Sequence, residues 1–202
     1  MIRALSAYVR VVDGLNWAIG RVVMYGIFVM MGILLWSSIS KTFFLPSLWT
    51  LEMAQFAMVA YYMLGGPYSI QLGSNVRMDL IYGEMSNRRK AWTDAITVLF
   101  LIFYLCVLLY GGMVSTSYSL GDFRGEPFGF FGTLFGSFVT GGTEGATEAL
   151  GRLERSPTAW RPYLWPIKTI MIIGIFLMLL QAISELFKDI LRLNGAWAEG
   201  KT

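Results

Sequence analysis

The sequence predicts an all-α integral membrane protein, a single domain over residues 1–202 with four spanning helices. Two observations predict it. Hydrophobic residues make up 55% of the chain and charged residues only 14%. Four apolar runs, at about 22–40, 51–72, 91–114 and 164–187, each approach or exceed the roughly 18 to 20 residues that a helix needs to cross a bilayer. None of them alternates with period two in segments of about 10 residues, as the strands of an outer-membrane barrel do.

Sidedness follows from the loop Gly73–Trp92, GSNVRMDLIYGEMSNRRKAW, which holds Arg77, Arg88, Arg89 and Lys90 between two apolar runs. Short loops rich in Lys and Arg stay in the cytoplasm. With that loop inside, Arg3, Arg10, Arg21, Lys188, Arg192 and Lys201 fall inside too, and both termini are expected to be cytoplasmic. Lys41, Arg124, Arg152, Arg155, Arg161 and Lys168 fall outside, four of them in one long loop that weighs little in this rule. Contact with anionic lipid accounts for the net charge of +3, and no nucleic-acid partner is implied. Read as a helix, the loop carries Met78, Ile81, Tyr82 and Met85 as an apolar stripe suited to the membrane surface. Read as a coil, it is a solvated charged turn.

Taken in order, residues 1–16 set Ile2, Leu5, Val9 and Val12 on one helical face and Arg3 and Arg10 on another, which predicts an amphipathic helix in the cytoplasmic interface. Trp17 and Arg21 mark the inner boundary of the first span. The short turn after Ser40 makes the first two spans antiparallel neighbours. Trp49 precedes the second span, and Glu52 enters its first turn with Gln55 one turn on. A carboxylate at the bilayer is a functional candidate, but the helix dipole favours a negative charge there, so a cap or a partner for Lys41 is the expected role. Gly65, Gly66 and Pro67 predict a kink. The third span begins at a Ser86 or Asn87 cap and holds Cys106, the sole cysteine, as a small packing residue.

Residues 119–154 form an outer insertion with nine glycines between Gly121 and Gly151. Pro127 and the glycine density argue against a helix there, and only Thr143–Arg155 reads as a short polar one. Phe128, Phe131 and Phe135 belong to an apolar patch too short to span, which suits an outer-leaflet or partner-facing excursion. Trp160, Tyr163 and Trp165 then rebuild an aromatic belt, and Lys168 sits one turn inside the fourth span, able to snorkel outward. Along that span Gly174, Met178, Gln181 and Glu185 share a face, which reads as a protein-facing seam because Gln181 needs a hydrogen-bond partner away from lipid. Glu185 with Lys188, and Asp189 with Arg192, are ordinary helical-spacing pairs.

Histidine is absent, and with it the commonest general base, zinc ligand and haem ligand. No acid and base converge in the sequence, so an enzyme is not expected and no cofactor is called for.

Several of these features together resemble the small membrane subunit (DctQ-like) of tripartite ATP-independent periplasmic (TRAP) transporters. They are Trp49 with Glu52, the inner-loop run Asn75-Val76-Arg77-Met78-Asp79, Glu154-Arg155-Ser156 leading to Trp165-Pro166-Ile167-Lys168, and then Gly174 and Gln181. The resemblance covers residues 16–118 and 154–192 on a four-helix plan. It implies a bacterial inner-membrane protein whose partners are a large membrane subunit, which carries solute and sodium, and a periplasmic solute-binding protein. It further implies a scaffold role in uptake of a solute of the organic-acid type, with Trp49, Glu52, Arg77, Asp79, Lys168, Gly174, Gln181, Phe128, Phe131 and Phe135 as interface candidates. The insertion at 119–154 departs from the pattern and leaves open the alternative of an accessory structural subunit in another inner-membrane complex, such as a respiratory or light-harvesting core.

Overall fold

The computed structural model describes residues 2–73 and 87–193. The inner-loop stretch 74–86, with Arg77, Asp79 and the apolar stripe, lies outside the described residues, as does 194–202. Among the described residues, six helices follow in chain order: α1 Ile2–Met24, α2 Gly26–Phe43, α3 Thr50–Gln71, α4 Asn87–Ser119, α5 Pro127–Ala149 and α6 Trp165–Leu193.

The helix expected over residues 1–16 is present and runs on to Met24. Only Tyr25 separates α1 from α2, with Tyr25 N–H on the Val22 carbonyl at 3.2 Å. α1 packs against α3 and α6, and Val9 and Val12 of its apolar stripe are buried. Leu5–Phe43, Trp92–Ser119 and Trp165–Leu191 are long and apolar enough to cross a membrane. The second expected span, α3, is not among them: it has the length but a more polar composition, with Glu52, Gln55, three tyrosines and two glycines. α1, α2 and α6 all pack on it, so much of its surface meets protein.

α6 is the hub, in contact with α1, α3 and α4. Leu105, Ile175 and Ala182 form the buried centre, with Met63, Leu101, Leu109, Met171 and Met178 packed around it. Outside this centre, large apolar side chains face outward: Phe28, Phe100 and Phe103 are each at least 65% exposed. Apolar surface so continuous belongs against lipid. Cys106 shares that outward side of α4 and is exposed, not packed as the sequence suggested. Leu105 beside it takes the inward direction, and one residue along a helix is a rotation of about 100°.

α3 runs as one helix through Pro67, where the sequence predicts a kink or tilt. Gly66 serves close packing: a Cβ there would lie 2.7 Å from Met178 Sδ. The larger correction concerns the insertion, where a 23-residue helix, α5, replaces the expected irregular excursion. Pro127 sits at its start, where a missing N–H leaves no bond unmade and the fixed φ suits the helix. Gly142, at φ 61 and ψ −143, breaks α5 in two, so the short helix read at 143–155 is its second piece and ends at Ala149. α5 lies along α4, with the Phe128 ring 6.1 Å from that of Tyr110.

Candidate functional site

Two polar latches, one at each end of the bundle, set the arrangement of the helices. At the loop end, residues 154–164 form a tight hairpin in which Ser156 N–H donates to the Pro162 carbonyl at 2.9 Å and Leu164 N–H to the Glu154 carbonyl at 3.2 Å. This hairpin presents Glu154 to the ends of α4 and α6. The carboxylate accepts from Ser119 Oγ at 2.5 Å and from Lys168 Nζ at 2.7 Å, and Lys168 also donates to the Ser115 carbonyl at 3.3 Å. The hydrogen bonds from Lys168 and Ser119, with the Lys168 charge, hold the Glu154 carboxyl below its ordinary range.

The same hairpin reaches α3. Ser156 Oγ donates to Glu52 Oε1 at 2.6 Å, and Thr158 Oγ1 donates to the same oxygen. Glu52 is only 4% exposed and bonds this loop rather than Lys41, while Gln55 faces outward. The mismatch has a simple cause: residues three apart on a helix differ in direction by about 60°, enough to put one inside and one outside. The α2–α3 turn is tied separately, with Thr50 Oγ1 donating to Ser37 Oγ at 3.1 Å and Ser40 Oγ to the Leu45 carbonyl at 2.9 Å.

At the other end, α1 is tied to α6. Gln181 is fully buried; it accepts from Asn16 Nδ2 at 2.7 Å and donates to Asp13 Oδ1 and to Glu185 Oε1 at 3.0 Å each. Ser184 Oγ adds a bond to Asp13 Oδ1 at 3.0 Å. Lys188 Nζ lies 2.7 Å from both Asp13 Oδ2 and Glu185 Oε1. The Glu185–Lys188 pair is thus present as read from its spacing, but as part of a network centred on Asp13. α3 joins through Gln71, whose amide donates to the Asp13 carbonyl at 3.2 Å. Such a network fixes which faces meet, because Gln181, Ser184 and Lys188 of α6 all reach Asp13 or Asn16 of α1, although Asn16 Oδ1 and Gln71 Oε1 are buried without a partner among the described residues.

Close backbone approach completes the clamp. A Cβ on Gly174 would stand 2.6 Å from the Met63 carbonyl oxygen, so only glycine lets α6 approach α3 this closely. At the base of the insertion Gly121, at φ 93, meets Gly151, whose N–H donates to the Leu120 carbonyl at 2.9 Å. Glu154 N–H returns to the Ser119 carbonyl at 3.0 Å. The excursion is therefore pinched closed where it leaves the bundle.

Of the residues singled out from sequence, Glu52, Lys168, Gly174 and Gln181 lie within these contacts between helices of the chain itself. Trp49, Phe128 and Phe135 are exposed at 38%, 68% and 71%; Phe131 is partly covered, edge-on to Phe130 at 5.6 Å. Arg77 and Asp79 lie outside the described residues. Asp13 and Asn16 were missed. The available signal was the stripe itself: Asn16 follows Val12 at helical spacing on the face that Val9 and Val12 bury, and a polar residue continuing an apolar face needs a partner. Among the described residues, no three His, Cys, Asp or Glu side chains gather as a metal site would require.

The family model for the DctQ component of tripartite ATP-independent periplasmic transporters matches residues 30–131, half of the 202-residue chain. The chain belongs to this family. It is thus a small permease component of a TRAP transporter, from a family of transporter components of the inner membrane. The match covers α2, α3, α4 and the first turn of α5, so the DctQ pattern extends slightly into the insertion. Lys168, Gly174 and Gln181 on α6 lie beyond it. No curated protein and no solved structure matches the chain.

Proposed function

We propose that this DctQ-family chain is a non-catalytic scaffold that holds the large TRAP membrane subunit in place. In this reading the large subunit and a periplasmic solute-binding protein handle the solute, of the organic-acid type. The chain crosses the bilayer four times, α3 included, with both termini cytoplasmic. The observation that supports the scaffold role most is that the polar side chains of the helices close on one another, Asn16 with Gln181, Lys168 with Glu154 and Glu52 with Ser156. Groups so engaged set a shape and do not receive a solute.

Buried residues such as Gly174 and Gln181 act by fixing that shape. Direct contact with the large subunit falls to the exposed Trp49, Phe128 and Phe135, and to Arg77 and Asp79 of the inner loop. Uptake into proteoliposomes holding the large subunit, with and without this chain, tests the role. Arg77→Ala and Asp79→Ala should each lower recovery of the assembled pair. Intact assembly with changed solute turnover would overturn the scaffold role. Alkaline phosphatase fusions after Lys90 and near Gly141 test the topology: activity at the first site, or none at the second, would contradict it.

A further inference from the structure

At the loop end of the bundle, a cavity of about 660 Å³ is lined by Tyr118, Phe123, Arg152, Arg155, Arg161 and Tyr163. We propose that it binds a phosphate-type anion and that its occupant is the headgroup of an anionic phospholipid in the leaflet at that end.

The charge balance carries the first step. Glu154 also borders the cavity, but its carboxylate is engaged by Lys168 and Ser119, which leaves three guanidinium groups without an acid to neutralise them. Arg155 stacks on Tyr163, with its guanidinium carbon 4.4 Å from the ring centre, and donates to the Tyr163 hydroxyl. No salt bridge or side-chain hydrogen bond engages Arg152 or Arg161 among the described residues. Arg161 is also the one described residue other than glycine at positive φ, 51, a conformation that L residues seldom adopt. Strain of this kind gathers where surrounding structure holds a side chain for binding. Planar guanidinium forks match the oxygens of a phosphate.

Lipid is favoured over a soluble anion by what lies beneath the cavity. It opens where α4 ends and α6 begins, at the level of Tyr118, Tyr163 and Trp165, the depth at which aromatic residues mark a membrane surface. Below Tyr118 on the same side of α4 come Gly111, Val107, Tyr104 and Phe100, at i−7, i−11, i−14 and i−18, all exposed. A Cβ on Gly111 would meet nothing within 4 Å, so an open apolar track leads from the arginines along the span. A headgroup on the arginines would place its acyl chains on that track. Basic sites beside spanning helices are suited to such headgroups.

The test uses the full chain in nanodiscs of phosphatidylcholine with a minor fraction of phosphatidylglycerol, followed by native mass spectrometry of retained lipid. Wild type should keep phosphatidylglycerol in preference to phosphatidylcholine. Each arginine neutralised should lower retention about fivefold, so the Arg152→Gln, Arg161→Gln double variant should fall to background. Arg161→Gly, which relieves the positive φ and keeps the other two arginines, should fold as wild type and still lose about fivefold. Arg124→Gln removes an exposed arginine outside the cavity, already paired with Asp122, and should change nothing. Equal retention by wild type and the double variant would overturn the site. Displacement of the lipid by millimolar inorganic phosphate would assign the site to a soluble anion instead. Loss of a co-purifying soluble protein with lipid retention unchanged would make the arginines a protein contact and overturn the lipid assignment.

Discussion

Replacing Lys188 with methionine tests whether the Asp13 network sets the helix arrangement. Lys188 Nζ is 2.7 Å from both Asp13 Oδ2 and Glu185 Oε1, and the residue is 8% exposed. Methionine keeps most of the side-chain volume and removes the only cation in the network as described, leaving two carboxylates side by side. Hydrogen bonds between helices in a membrane average only about 0.6 kcal/mol, because the separated helices find other partners. Stripping a buried ion pair of one member costs more, about 3–5 kcal/mol, since the remaining charge has no compensation. Here Asp13 keeps its bonds from Gln181 and Ser184, and Glu185 keeps Gln181, so the lower end of that range, about 3 kcal/mol, is expected. Asp13→Asn combined with Lys188→Met removes the orphaned charge on α1 and should recover more than half of the loss. Unfolding of the purified chain by a denaturing detergent titrated against a mild one, followed by circular dichroism, reads both values. A single variant within about 0.5 kcal/mol of wild type, the range of an uninvolved surface change, would refute the reasoning. So would a double variant no more stable than the single one.

Three further outcomes follow from the packing. Gly174→Ala should destabilise the bundle by about 1–3 kcal/mol, because the added carbon meets backbone that cannot move aside, whereas Gly136→Ala, where a Cβ meets nothing within 4 Å, should be neutral or stabilising by up to about 1 kcal/mol; the same detergent titration compares them. Joining Gly121 directly to Gly151 should leave the spans inserted, since a Cβ on Gly121 would lie only 2.5 Å from Gly151 Cα and the join needs a Cα separation of about 3.8 Å; pull-down against the intact chain should show weaker recovery of the large subunit, and equal recovery would make α5 a passive loop. The Glu154 carboxyl sits below its ordinary value of 4.5, so its contribution to stability is complete above that pH and is lost as pH falls through the lowered value; Glu154→Gln should flatten the acid limb of the stability profile and leave neutral pH less stable than wild type.

The helical membrane plan was legible because long apolar runs admit few other structures in a bilayer. What sequence missed was decided by neighbours. Asp13 looks like any acid on a basic amphipathic helix until α6 supplies Lys188 and Ser184 from the far end of the chain. Cys106 and Leu105 are equally apolar, and only the packing of α4 on α6 chooses which one turns inward. α5 was hidden by a rule applied too broadly: glycine and proline disfavour helix interiors, yet Pro127 stands at the first position, where it favours a helix, and the one glycine that breaks the helix is Gly142. Glu52 reads from sequence as a cap or as a partner for Lys41, but its partners lie beyond the next two helices, α4 and α5, in a hairpin that no local spacing announces.

Native purification decides the central claim, that this DctQ-family chain is the scaffold partner of a large TRAP membrane subunit. An affinity tag on the chain, expressed from its own locus and extracted in mild detergent, should bring down one multi-spanning TRAP subunit in equal amount, and a photo-crosslinker at Phe128 or Phe135 should attach to that subunit. Recovery of the chain alone, or with a stoichiometric set of subunits from a different membrane complex, would contradict it.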